Sequence, residues 1–267
     1  MTSRRPRPPR FGEEGRELTY GTYLKVPELL SLQQGLSDPP AHDELLFIVV
    51  HQAYELWFKQ LIFELETVRA LLFSNDAQRA LHYLRRVHTI ERVLIDQVAV
   101  IESMSPQDFL EFRMHLAPAS GFQSVQFREL EFLSGLRDER YLERLVLTSA
   151  EQARLKQRLV DPSLWDAFCA LLERRGLEMP ASSEEGRRAS LLTMAQQRDA
   201  HAEEFEISEA LLTHDELVAL WRQHHVLMVE RQIGSKSGTG GSTGASYLHK
   251  TLTKRFYPEL WDLRSYL

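Results

Sequence analysis

Apolar residues recur at helical spacing through most of the chain. Between Asp43 and Phe73 they fall at Leu46, Phe47, Val50, Tyr54, Trp57, Phe58, Leu61, Leu65, Val68 and Leu72, the pattern of one buried helix face. Neither Pro nor Gly interrupts this stretch. At about 1.5 Å per residue it predicts a helix more than about 40 Å long, ended by Ser74-Asn75. A second long helix is expected over Ala77 to Glu102, through Leu81, Leu84, Val87, Ile90, Leu94 and Val98. A third begins after Ser105, which suits an N-cap, with Pro106 in the first turn and Asp108 three residues after the cap. It carries Phe109, Phe112, Arg113 and Leu116, and Pro118 closes it. Ala119 to Ser124 reads as a loop leading to a further helix through Phe127, Leu130, Glu131 and Leu133.

Residues 136 to 200 suggest shorter, more polar helices, with turns at Pro162 and Pro180. A long amphipathic helix is expected from about His214 to Ile233, followed by the glycine-dense run from Gly234 to Gly244. The end of the chain holds Phe256, Tyr257, Pro258, Leu260, Trp261 and Tyr266, apolar enough to dock on the body. Alternating strand patterns are scarce and no internal repeat stands out. The fold class expected is all-α, a single helical domain of long bundled helices over residues 17–267. Residues 1–16, rich in Pro and Arg, read as a disordered basic tail without the apolar segment of a signal peptide.

Composition narrows the function. A formal net charge of -6 argues against a general nucleic-acid binder. The longest purely apolar run, Leu45 to Val50, is far short of a bilayer span, so no membrane partner is expected. The single cysteine, Cys169, excludes an intrachain disulfide and suits a reducing, cytoplasmic setting. Its neighbours Trp165, Phe168, Leu171 and Leu172 make it a packing residue rather than a nucleophile.

Several side chains could carry chemistry. His51 shares a helix face with Phe47, Tyr54 and Glu55, and could be a ligand, a base, a hydrogen-bond partner or a core histidine. Arg113 lies on a face with Phe109 and Leu116; its planar fork needs a carboxylate, from the protein or from a ligand. His224 and His225 follow Trp221 on an apolar stripe with Leu220, Met228 and Val229; spacing does not say which of them could bind a metal or a heme. The glycine run satisfies neither the P-loop nor the dinucleotide pattern, leaving a ligand-closing loop or a plain connector. No His-Glu-x-x-His or Glu-x-x-His occurs, and the Gly-x-Ser-x-Gly spelled by Gly240 to Gly244 follows an expected helix rather than a strand, so it is no nucleophile elbow. His42-Asp43-Glu44 reads as a charged helix start rather than a metal site.

Four strings, in order, are more specific. Leu18-Thr-Tyr20-Gly-Thr-Tyr23-Leu24 is the first, and His42-Asp-Glu-Leu-Leu-Phe47-Ile-Val-Val-His51-Gln-Ala-Tyr54-Glu-Leu-Trp57-Phe-Lys59 the second. The third is Phe112-Arg113-Met-His-Leu-Ala-Pro-Ala-Ser120-Gly121-Phe122-Gln-Ser124. The fourth is Trp221-Arg222-Gln-His224-His225, followed by Gly234-Ser-Lys-Ser-Gly-Thr239-Gly-Gly-Ser-Thr-Gly244. Together they resemble the tryptophan 2,3-dioxygenase family. The resemblance implies a heme b enzyme, one heme per subunit, that uses O2 to cleave the indole C2–C3 bond of L-tryptophan and gives N-formyl-L-kynurenine, the first step of the kynurenine pathway. By the same resemblance His225, not His224, is the iron ligand, and His51 is the distal catalytic histidine that contacts the indole N–H. Phe47 and Phe109 wall the indole pocket, Arg113 pairs with the substrate carboxylate and Thr239 helps hold its ammonium. Ser120 and Gly121 line the heme pocket. Tyr20, Tyr23 and Leu24 reach a neighbouring subunit's site in a homotetramer, a dimer of dimers.

Two other readings remain at this level. A related heme mono-oxygenase would place one oxygen atom on a tryptophan derivative and give an oxindole. A helical interaction protein without heme would keep only the fold. Together, His51, Arg113 and Thr239 favour the dioxygenase.

Overall fold

A computed structural model of the chain describes residues 18–239 and 248–267. The basic tail expected over residues 1–16 and the last glycines of the run, from Gly240, lie outside the described residues. Among the described residues every regular element is helical, and the chain is an all-α single domain. Two short helices, α1 (Tyr20–Leu24) and α2 (Val26–Leu30), precede the long α3 (Glu44–Phe73) and α4 (Ala77–Glu102). Then come α5 (Pro106–Leu116), a 3-10 turn at Gly121–Gln123, and α6 (Val125–Ser134). Four shorter helices follow: α7 (Tyr141–Arg144), α8 (Ser149–Val160), α9 (Leu164–Arg174) and α10 (Glu184–Gln196). The longest, α11 (Ala202–Ile233), leads to α12 (Pro258–Leu263).

Local chemistry sets these boundaries. The Ser105 hydroxyl accepts the Asp108 N–H at 3.1 Å, and the Asp108 carboxylate accepts the Ser105 N–H at 3.3 Å, the reciprocal cap the spacing predicts. Ser124 caps α6 by accepting the Phe127 N–H at 3.2 Å. That helix ends at Gly135, whose φ of 115° lies where a side chain is strained. Ala117-Pro118 follows α5 as a cis peptide and turns the chain toward Ser120.

The core lies where α3, α4 and α11 meet: α4 packs along both α3 and α11, while α6 and α9 cover α3. Leu61, Leu65, Val68, Leu72, Leu84, Val87, Leu211 and Phe168 are sealed within it. A smaller cluster of Val50, Ile101, Met104 and Phe112 joins α3, α4 and α5, with Phe47, Phe109 and Met228 against it. Cys169 packs on the main core as expected, and burial pushes its thiol up to about 12. At the chain end Phe256, Tyr257 and Leu260 are buried as the pattern implies, whereas Tyr266 is exposed, with the Arg188 guanidinium 4.6 Å from its ring.

One boundary differs from the sequence expectation. Helix α11 starts at Ala202, twelve residues before His214. His214 and Asp215 are fully buried at mid-helix because each finds partners there. His214 Nδ1 lies 2.5 Å from Glu91 and its Nε2 lies 2.9 Å from the Ser134 hydroxyl. Asp215 Oδ2 accepts the N–H groups of Phe256 at 2.9 Å, Tyr257 at 3.1 Å and the Trp261 indole at 2.9 Å, docking the chain end. Arg222, also buried, donates to Glu131 at 2.8 Å, which takes Arg128 on its other oxygen at 2.6 Å.

His88 gives a test of this interior. Burial, against a hydrogen bond to the Ala210 carbonyl, lowers its pKa from 6.5 to about 4. The unfolded chain therefore takes up this proton first, so stability is lost as pH falls from about 6.5 toward about 4. Urea titration should show this site costing roughly 2 kcal/mol between pH 7 and pH 5. His88→Gln should remove that part of the slope; an unchanged slope would show that His88 is not held neutral.

Candidate functional site

His51 is the eighth residue of the 30-residue α3, one turn after Phe47. Its Nδ1 lies 2.7 Å from the Phe47 carbonyl. A carbonyl only accepts, so Nδ1 carries the proton and Nε2 keeps its lone pair. The Phe47 and His51 rings are 4.0 Å apart at centroid, and Phe47 also meets Phe109 at 5.9 Å and Phe112 at 5.5 Å. By surface area His51 is exposed, yet desolvation lowers its pKa, opposed by the Phe47 carbonyl and by the Glu55 charge. Both hold for a ring on the inner wall of an open cleft.

His225 approaches His51 from α11. It is half-buried, and desolvation followed by the charge of His51 lowers its pKa to about 4. The imidazole is neutral, and each ring lies within the electrostatic reach of the other. Trp221, one turn earlier, stacks on it with centroids 5.5 Å apart and planes 24° apart. His224 is exposed. The helix phase thus separates the two adjacent histidines, which spacing could not do. Among the described residues no group of three His, Cys, Asp or Glu side chains could hold a metal. A metal held here by one imidazole would need its other ligands from a non-protein group.

The rim is cationic and hydroxyl-bearing. Arg113, near the end of α5, donates through Nη2 to the Ser237 carbonyl. Thr239 donates its hydroxyl to the Ala119 carbonyl at 2.7 Å. These two bonds draw residues 237–239 onto the turn that carries Ser120 and Gly121. A Cβ built on Gly121 would meet no atom within 4 Å, so that residue borders open space. Gln232 donates to the Met104 carbonyl at 2.8 Å and anchors the loop's root to the start of α5.

The structure thus brings Phe47, His51 and Phe109 together on α3 and α5, ties Arg113 to Ser237 and Thr239 to the turn that carries Ser120 and Gly121, and leaves His225 within the electrostatic reach of His51. It does not bring Tyr20, Tyr23 and Leu24 there: α1 packs on α2, and Tyr20 is 79% exposed and Tyr23 71% exposed. Sequence reasoning missed Gln232, Ser237 and Ala119, whose roles are carried by backbone or by contacts made only in three dimensions. The stack of Trp221 on His225 was available from its i, i+4 spacing.

The chain matches the family model described as tryptophan 2,3-dioxygenase over residues 7–185 and 156–267. It is 58% identical over 262 residues to the tryptophan 2,3-dioxygenase of Nocardioides sp. (strain ATCC BAA-499 / JS614), covering 96% of this chain and 97% of that protein. It is 45% identical to the tryptophan 2,3-dioxygenase of Herpetosiphon aurantiacus, covering 93% of this chain and 98% of that protein. To that of Caulobacter vibrioides it is 40% identical, covering 94% and 99%.

The Arg113 clamp is testable without any ligand. Arg113→Ala should speed tryptic cleavage after Lys236 by about tenfold, the worth of one charge-assisted hydrogen bond. An unchanged rate would mean that the loop does not depend on this contact.

Proposed function

The chain belongs to the tryptophan 2,3-dioxygenase family and is an enzyme that dioxygenates tryptophan; from that premise we propose that it holds one heme b through His225 and converts L-tryptophan and O2 to N-formyl-L-kynurenine. The carrying observation is the His51 ring packed on Phe47 beside Phe109, with the neutral His225, stacked on Trp221, close enough to feel the charge of His51. The donor set fits a heme: a single neutral imidazole, with no hydrogen bond to any described residue, and no competing cluster of protein ligands among the described residues. Bound there, the iron would supply the means of bringing triplet O2 into reaction with a closed-shell indole.

The side chains do the rest by placement. His51 offers the Nε2 lone pair to the indole N–H, because its Nδ1 proton is committed to Phe47. It orients rather than deprotonates, since an indole N–H is far too weak an acid for a neutral imidazole. Phe47 and Phe109 wall the ring. Arg113 has further N–H donors beyond the one given to Ser237 and takes the substrate carboxylate on them. The Thr239 proton is committed to Ala119, so its oxygen is left to accept from the substrate ammonium. Ser120 and Gly121 border the heme pocket. The C2–C3 bond breaks, each carbon gains one oxygen as a carbonyl, and both atoms of O2 end in the product.

The same reading assigns Tyr20, Tyr23 and Leu24 to a neighbouring subunit's site in a homotetramer, a dimer of dimers. Their exposure supports it, as do the exposed Leu45, Val49, Leu56 and Phe63 along α3. No helix among the described residues is long and apolar enough to cross a membrane, which supports a cytoplasmic enzyme. The expected domain over residues 17–267, with a basic tail before it, belongs to the same proposal.

Two measurements test this. Heme-loaded, reduced protein given L-tryptophan and 18O2 should yield a product carrying two labelled oxygen atoms. A product with one label would move the enzyme to the oxindole-forming mono-oxygenase chemistry. Arg113→Ala should raise KM by roughly 10- to 100-fold by leaving the carboxylate unpaired. Unchanged tryptophan binding would remove Arg113 from the site.

A further inference from the structure

We propose that Glu91 is a positioning residue for the iron ligand: through one buried water it accepts the indole N–H of Trp221, fixing the ring that stacks on His225. The inference rests on the assignment of His225 as the ligand. Trp221 Nε1 and Glu91 Oε2 are both sealed from solvent, and neither has a hydrogen-bond partner among the described residues. One is a donor and the other an acceptor. Leaving such groups unpaired in an apolar interior is costly for the donor and more so for a carboxylate.

The two residues line one small cavity, otherwise walled by Phe58, Leu61, Leu94, Phe127 and other apolar side chains. Its volume, about 10 Å³ counted at water centres, suits a single water molecule. One water there accepts from Trp221 and donates to Glu91, satisfying both orphans.

The surroundings give the link direction. Glu91 is held through its other oxygen by His214 at 2.5 Å, and His214 by Ser134 at 2.9 Å, so the acceptor is fixed from α4, α6 and α11 together. Trp221 lies between this network and His225, on which it stacks at 5.5 Å. Tyr54 is the competing partner: it lies edge-on to Trp221 at 6.0 Å, and its hydroxyl feels the Trp221 N–H without hydrogen-bond geometry. That hydroxyl donates to the Leu94 carbonyl at 3.0 Å, so its oxygen can accept the water's second proton.

The test reads the iron–histidine stretching band of the reduced holoenzyme and its heme affinity. Glu91→Gln keeps the shape and an acceptor for His214, but turns an N–H donor toward Trp221. It should shift the band and weaken heme binding about 10-fold, the usual scale for a residue that orients a metal ligand. Trp221→Phe should shift the band equally, and the double variant should add nothing to either. Additive shifts, or a band moved by Trp221→Phe and Tyr54→Phe but not by Glu91→Gln, would overturn the proposal. If Glu91→Gln does not fold, a high-resolution crystal structure of the holoenzyme decides. An ordered water bonded to both Glu91 Oε2 and Trp221 Nε1 supports it, and a direct Trp221–Tyr54 bond without that water overturns it. Absence of any iron–histidine band in the parent protein would sink the His225 assignment instead.

Discussion

Polar side chains buried in a helical bundle must find partners there or cost several kcal/mol, and this requirement sets the rotational phase of α11. His214 has Glu91 and Ser134, Asp215 has the N–H groups of the chain end, and Arg222 has Glu131. None of these pairs survives a turn of the helix about its axis. With the phase fixed, His225 approaches His51 and its neighbour His224 faces solvent. The direction of His225 is therefore decided by ion pairs and hydrogen bonds elsewhere on the same helix, not by anything in its own immediate sequence.

The site divides its chemistry between two imidazoles and a polar rim. Desolvation keeps both imidazoles neutral, which a metal ligand and a hydrogen-bond acceptor each require. At the rim, the Arg113 guanidinium and the Thr239 hydroxyl stand where an amino acid's charged groups would sit while its ring lies among Phe47 and Phe109. The contacts of Arg113 with Ser237 and of Thr239 with Ala119 couple the rim to the loop. In the proposed function, loop position and substrate anchoring therefore depend on the same two side chains.

Much of this was legible in the sequence, for identifiable reasons. Helices α3, α4 and α5 were readable because their apolar periodicity is unbroken and their ends carry Ser, Asp and Pro in capping positions. The start of α11 was not, since His214 and Asp215 look like a polar helix start until their partners, far along the chain, are known. Periodicity left His51 and Arg113 as ambiguous candidates; the resemblance gave them roles, and the structure shows His51 against Phe47 and Arg113 bonded to Ser237. The choice between His224 and His225 needed resemblance first and helix phase second. Glu91 carried no sequence signal, because an acidic residue in a long helix usually reads as a solvated face. Thr239 was visible only as part of a glycine-rich string, and its bond to Ala119 depends on a turn that no spacing rule describes.

The most direct test of the central claim, that α11 presents His225 as the single protein ligand of a heme, is a cavity variant. His225→Gly should bind heme weakly and lose the spectrum of a five-coordinate reduced heme, and added imidazole should restore both. A spectrum unchanged by His225→Gly, or one that imidazole fails to restore in folded protein, would contradict it.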